Sequence, residues 1–296
     1  MDVVRFNFND GKGSVFAHRH PNGGGWVADT ANVADTAFVG SNARVYGDAT
    51  VSGNARVMGY ATVSDLAMVI DNATVRANAR VSGHAAISDN AIISGDARVY
   101  DGACVRDNAK VHGQATVRGD AELIGNAVVL DDAKVDGNAQ IFGNGIISGY
   151  ATVSGNAKVG NNAKVKDVAN VSGRAEIGGN AEISGNAWVS GNAEVIDDAK
   201  VYGYANVCGY AKICRNGTLR GRADVNESAT VTGNATVSGH ARIGGNAQIE
   251  GNAWVGGNAD ISGESKIGGD ARVKGNTKVI DDTIFDESTI NLKPIL

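Results

Sequence analysis

Cysteine, proline and aromatic residues are all scarce in this 296-residue chain: three cysteines, two prolines, and 5% Phe, Trp and Tyr together. Three cysteines give no disulfide framework. So few rings exclude a core packed around large aromatic side chains. The 27 Lys+Arg against 32 Asp+Glu leave a formal charge of −5. That lacks the basic footprint of a duplex-binding protein, so no duplex nucleic-acid partner is expected. The longest uninterrupted apolar run, Leu66 to Ile70, has five residues. It is far too short to span a bilayer, and no membrane partner is expected. Met1-Asp2-Val3-Val4-Arg5-Phe6 has no basic stretch leading into an apolar one, so no signal peptide is expected and a cytoplasmic location is. Against these absences stand 41 glycines and an apolar fraction of 43%, more than a disordered chain carries.

One repeat organises what is there. From Val27 to Phe285 every sixth residue is aliphatic or, once, aromatic: 44 positions, with 30 Val, 11 Ile, two Leu and one Phe. Two residues before each of these sits a small side chain. Between Ala31 and Thr283 it is Ala at 38 of 43 positions, the exceptions being Gly145, Gly217, Ser265, Thr277 and Thr283. The unit reads Ala-x-Val-x-Gly-Asn, as in Ala151 to Asn156, and its phase is expected to hold through Phe285.

Ala-x-Val has the period of two of a strand with one buried face. The Gly, Asp and Asn that follow tolerate the left-handed backbone of a sharp bend. Each hexad is therefore one short strand and one corner. Such a unit cannot bury its inner face alone, so successive units must coil around a shared axis and stack. Three hexads per coil place residues 18 apart directly above one another. The outward positions then form charge ladders: Lys158, Glu176, Glu194 and Lys212 in one column; Lys164, Glu182 and Lys200 in a second; Asp224, Arg242, Asp260 and Lys278 in a third. Opposite charges one strand apart attract, which favours a triangular coil of about 15 turns over a four-sided one.

The Ala-x-Val-x-Gly-Asn run resembles the hexapeptide-repeat superfamily, over about nine-tenths of the chain. The resemblance implies an all-β fold, a left-handed parallel β-helix; the usual right-handed crossover of parallel strands would suggest the opposite hand. The opening Gly23-Gly24-Gly25-Trp26-Val27, followed by many hexads, is similar to uncharacterised proteins of bacteria, prophages and phages labelled transferases by fold analogy. For a phage-encoded chain the location implied is the host cytoplasm.

A solenoid exposes unpaired strand edges at its ends, and these must be covered. Residues 1–26 break the repeat: Val4 to Phe8 alternates, Asn9 to Gly13 reads as a turn, and Ser14-Val15-Phe16 returns as a second strand, forming a hairpin-like cap. The organisation expected is a cap at 1–26, a β-helix at 27–285 and a capping tail at 286–296.

Many members of the superfamily are acyltransferases using an acyl thioester of coenzyme A or acyl carrier protein, some with a histidine base. The candidates here are His84, His112 and His240, but His84 sits at one edge and the other two at another, about seven coils apart. No two can meet within one chain, and their bland reading is as solvent-exposed corner residues, with no catalytic residue assigned. His18 and His20 form a His-x-His pair that would bind a transition metal only with further ligands. The bland reading, an exposed cap loop, is preferred, with no metal and no cofactor. Cys208 and Cys214 are one strand side apart, beyond disulfide reach. They and Cys104 read as reduced surface thiols. The aspartate pairs at 131–132, 197–198 and 281–282 read as corner residues.

Two departures from the ladders suggest binding. The column Arg44, Thr62, Arg80, Arg98, Thr116, Lys134 has no acidic member, and the adjoining corner column holds Tyr46, Ser64, Ser82, Tyr100 and Arg118. Arg80, Arg98, Tyr100 and Arg118 are expected to converge with His84 beside them, as a site for an anion or an acidic protein surface. Second, Ile124, Val128 and Leu130 on one coil and Phe142 and Ile146 on the next put apolar side chains at outward positions. They are expected to form a contact between copies of the chain, as a dimer or trimer. The mixed outward columns lack the flat Thr-x-Thr arrays of ice-binding solenoids. The function expected is a non-enzymatic, elongated scaffold or binding protein; the alternatives are an acyltransferase of the hexapeptide type and a virion component.

Overall fold

A computed structural model describes residues 3–285 and 289–290. The chain divides into two compact units, Met1–Asn144 and Gly145–Leu296.

The first unit opens with the hairpin. Strands β1 (Val4–Asn7) and β2 (Ser14–Arg19) are antiparallel, with Phe6 opposite Val15. Strand β2 pairs antiparallel with β3 (Trp26–Ala28), and from β3 onward the pairing is parallel, Trp26 lying beside Arg44. The hairpin thus supplies partners for the first open edge. Its rings hold it in place: Phe6 stacks on Trp26 at 4.2 Å and Phe8 on Tyr46 at 4.9 Å, over a buried core of Phe8, Ala17 and Ala28.

Beyond the hairpin this unit winds on three parallel sheets, with about 18 residues per turn. On the first sheet Arg44, Thr62, Arg80, Arg98, Thr116 and Lys134 are successive neighbours. The second sheet begins with Asn32 beside Thr50, and the third with Phe38 beside Arg56. The second unit winds in the same way, with Thr152 beside Asn170, Lys158 beside Glu176 and Lys164 beside Glu182. The two units together describe about 14 turns, against the nearly 15 expected from the hexad count.

The inward positions are dry. Ala115, Val117, Ala181 and Ile183, like almost all their equivalents, are fully buried. Alanine keeps the coil narrow and the branched residue fills the corner, each buried Val or Ile contributing about 1.5–3 kcal/mol. Where Ser265 and Thr277 replace Ala, each hydroxyl donates to the carbonyl three residues back, Ser262 at 2.6 Å and Lys274 at 2.7 Å. A hydroxyl is tolerated in this core only because it finds that acceptor.

The corners show why Gly, Asp and Asn alternate there. The bend places one residue at positive φ: 74° at Gly125 and 61° at Asp107 one turn earlier. Glycine adopts this conformation freely and aspartate tolerates it. The aspartate adds an acceptor for the next coil, since the Gly125 amide donates to Asp107 Oδ2 at 2.8 Å. In the second unit Asp167 accepts from the Gly185 amide and Asp197 from that of Arg215, both at 2.9 Å. The pairs 131–132, 197–198 and 281–282 share this design: Asp131, Asp197 and Asp281 all have positive φ. Asparagines at the following position form side-chain ladders, as in Asn216 to Asn234 to Asn252 at 3.0 Å per step.

Two expectations need correction. The phase does slip once: Val279 sits beside Ile261, a full three hexads earlier, but Ile284, not Phe285, sits beside Ile267. One residue is missing from the final corner around Ile280-Asp281-Asp282, and the buried position passes to Ile284. The ladders also pair differently in detail. Lys212 meets Glu194 at 2.6 Å as the column implies, but Glu182 is bound by Lys166 at 2.7 Å, from the corner after Lys164. Lysine's long stem reaches that carboxylate from the neighbouring corner as readily as from the same column.

The expected capping tail at 286–296 lies outside the described residues, except that the backbone of Thr289–Ile290 pairs with Arg272–Val273. Among the described residues no helix is long and apolar enough to cross a membrane.

Candidate functional site

The acid-free column of the first unit lies as the threefold winding implies, and the hairpin turns its lower end into a groove. A recess of about 440 Å³ is lined by Arg44 and Arg80, with Thr62 between them on the sheet. Phe8 and Asn9 of the hairpin close one end, Tyr46 stands on one flank, and Tyr60 and Asn78 on the other, with Asp96 beyond. Each wall has a local cause. Thr62 is a short member of its column, leaving a gap between two arginines two strand steps apart, roughly 10 Å. Tyr60 occupies a corner usually given to Asn and is 67% exposed.

The two guanidiniums are held differently. Arg44 Nη1 donates to the Phe8 carbonyl at 3.3 Å, and its Cζ lies 5.9 Å from the Phe6 ring centre, so the hairpin orients it. The Arg80 guanidinium has no hydrogen-bond or ion-pair partner among the described residues, and neither does that of Arg98 beside it in the ladder. Stacked like charges without counter-charge are unfavourable. Asp96 is the carboxylate of the recess, and its Oδ1 accepts from Asn78 Nδ2 at 3.0 Å. The recess therefore combines two cations, one carboxylate, amides and two phenols, a set suited to holding an anion or a flat polar group.

The upper part of the expected cluster does not join this recess. Arg118 is bound through Nε and Nη2 to Asp136 Oδ2, at 2.9 and 2.6 Å. Burial opposes ionisation of Asp136, but the Arg118 guanidinium and the Gly137 amide outweigh it and hold the carboxyl below its usual range. Arg118 is correspondingly raised. Asp136 lies one full turn after Arg118, so this neutralisation was visible in the corner column. His84 is an exposed corner residue whose backbone amide donates to Asp101, and Lys134 is exposed at the far end of the column. Sequence reading missed the contributions of Phe8, Asn9, Tyr60, Asn78 and Asp96. Their available signals were the Thr62 gap and an aromatic ring at an Asn corner.

The remaining candidates are dispersed. His112 is half-buried at a corner of the first unit and His240 exposed at a corner of the second. His20 is 3% exposed, not part of an exposed loop, because it follows the end of β2 and turns inward. Its Nδ1 contacts Asn22, while its Nε2 is buried without a hydrogen-bond partner. His18 Nδ1 is 2.9 Å from Asp29 Oδ1. No cluster of three or more potential metal ligands exists among the described residues. The three cysteines are free and half-buried; burial raises the thiols of Cys104 and Cys208 above their ordinary value, disfavouring thiolate. Ile124, Val128, Leu130 and Phe142 in the first unit and Ile146 in the second are each half-buried.

Within this geometry, residues 43–59 match the family model described as YdcK Beta solenoid repeat. The fold is a three-sheet parallel β-solenoid with about 18 residues per turn. No curated protein matches this β-helix. Among solved structures it is similar to a UDP-N-acetylglucosamine acyltransferase of Arabidopsis, at 13% identity and a TM-score of 0.29, over 73% of this chain and 66% of that one. The β-helix thus spans just under two-thirds of that enzyme's length, and at this similarity neither its activity nor its substrate carries over. Neither match bears on a phage or prophage source.

Proposed function

We propose that this β-helix is a non-enzymatic binding scaffold that takes an anionic group in the Arg44–Arg80 recess, as a small ligand or as part of an acidic protein. The observation that supports this reading is the unneutralised Arg80–Arg98 step directly above a gap at Thr62, whereas Arg118, at the adjoining corner column, has its carboxylate. An anion bridging Arg44 and Arg80 would relieve that repulsion, and each charge-assisted hydrogen bond contributes about 1.5–3 kcal/mol.

Calorimetric titration of the full chain with phosphate, citrate and an acidic peptide tests the proposal. Binding should weaken by at least about tenfold in Arg80→Ala and in Thr62→Arg, which fills the gap, and stay unchanged in Arg118→Ala. Equal affinity in all three variants would refute it. The acyltransferase alternative predicts acyl transfer from an acyl thioester that is lost on changing His84, His112 or His240.

A further inference from the structure

Each of the three tryptophans opens a Trp-Val strand, and they differ two residues on: Ala28 after Trp26, Ser190 after Trp188, Gly256 after Trp254. The difference has a structural result. A Cβ at Gly256 would collide with Cζ2 and Cη2 of the Trp254 indole, and it would lie 3.0 Å from Ser238 Oγ. The ring therefore lies along its own coil, in space that only glycine leaves open. Trp188, followed by serine, is instead 54% exposed. Gly256 has no positive φ, so its backbone does not require glycine. Its missing side chain serves the ring.

The next turn sets two cations above this ring. Arg272 is the ladder neighbour of Trp254, and Lys274 stands one full turn after Gly256. The turn before carries the short Thr236 and Ser238. Together Asn252, Trp254, Arg272 and Lys274 line an open recess of about 430 Å³. Both cations are exposed, and neither has an ion-pair partner among the described residues. Arg272 is not stacked over the indole, so the ring face and the cations are separately available. The nearby carboxylate of Asp270 accepts from Asn252 Nδ2 at 2.9 Å, and Asn252 in turn accepts from Asn234.

From this arrangement we infer a second binding site in the Gly145–Leu296 unit, for a planar aromatic ring that carries an anionic group. The ring stacks on Trp254 while Arg272 and Lys274 take the charge, whether phosphate or carboxylate. The site shares no residue with the Arg44–Arg80 recess and stands or falls separately.

The test follows the three indole Nε1–H resonances of the labelled full chain, assigned with Trp26→Phe, Trp188→Phe and Trp254→Phe. Adenosine 5′-monophosphate and 1-naphthoate serve as probes for the two anion types, with adenosine and inorganic phosphate as ring-only and charge-only controls. Either aromatic anion should shift the Trp254 resonance saturably, with both controls at least about tenfold weaker. Which probe binds tells phosphate from carboxylate. Arg272→Ala with Lys274→Ala should weaken binding by about tenfold or more, and Gly256→Ala should displace the free-state Trp254 resonance and reduce binding. Arg80→Ala should leave the titration unchanged. Absence of a saturable Trp254 shift with both aromatic anions, or an unchanged affinity without the two cations, would overturn the inference.

Discussion

Two outward columns on the same type of lattice treat charge in opposite ways. In the second unit Lys158, Glu176, Glu194 and Lys212 stack in order, and the one like-charge step, Glu176 to Glu194, is bracketed by lysines, with Lys212 on Glu194 at 2.6 Å. Hydrogen bonding to Glu194 raises Lys212, as hydrogen bonding to Glu182 raises Lys166. In the first unit Arg80 and Arg98 are adjacent, and no carboxylate among the described residues holds either. The backbone register is identical, so the difference is purely a choice of side chains. A solenoid surface is a grid in which each outward side chain has known vertical neighbours. On such a grid an unpaired run is a departure that asks for a function, whereas a paired run needs none.

The comparison can be broken at its foundation. Ile183→Ala removes a fully buried side chain beneath the Glu182 ladder and should cost about 2–5 kcal/mol, read as a lower urea midpoint. It should also loosen the Lys166–Glu182 pair, seen as a lowered Lys166 pKa. A substitution at the corners should cost less. Asp107→Ala loses the acceptor for the Gly125 amide and keeps a Cβ at positive φ, for a cost of about 1–2 kcal/mol. Asp107→Gly loses only the acceptor, so it should be the milder of the two in the same denaturation assay.

Smaller effects sharpen the contrast. Arg98→Glu converts the like-charge step into an attractive one and should raise stability by about 0.2–1 kcal/mol at low salt while weakening anion binding. Lys212→Ala should lower stability by a similar amount, and both effects should fade at high salt. The smallest is the pH response of Asp136. Its carboxyl is depressed in the folded state, so its contribution is present above the unfolded value of about 3.9 and is lost as pH falls through the lower folded value. Asp136→Asn should remove that part of the acid transition and leave stability near neutral pH reduced by less than about 1 kcal/mol. A pH titration of the denaturation midpoint measures it.

Much of this could be read from residue order. The three-sided winding, the buried Ala and Val positions and the vertical neighbours of Arg80 all follow from a period of six and its threefold multiple. Asp136 is equally legible, one turn after Arg118 in the same corner column. The Trp-Val-Gly at 254–256 also carried a signal, because the other two tryptophans lack the glycine. The recess over Thr62 could not be read in this way. Its end wall is Phe8 and Asn9, outside the repeat, and no periodicity says where a hairpin leans.

As far as Val279, residue order alone settles which side chains point inward, which share a column and where the chain turns, because a strand alternates with period two and a corner needs residues that accept positive φ. Three-dimensional packing settles what those columns enclose. The recess exists because Phe6 and Phe8 fold onto Trp26 and Tyr46 and place the hairpin against the first coils. The repeat carries no term for that contact, since it joins a non-repeating segment to the grid through ring stacking between residues far apart in the chain.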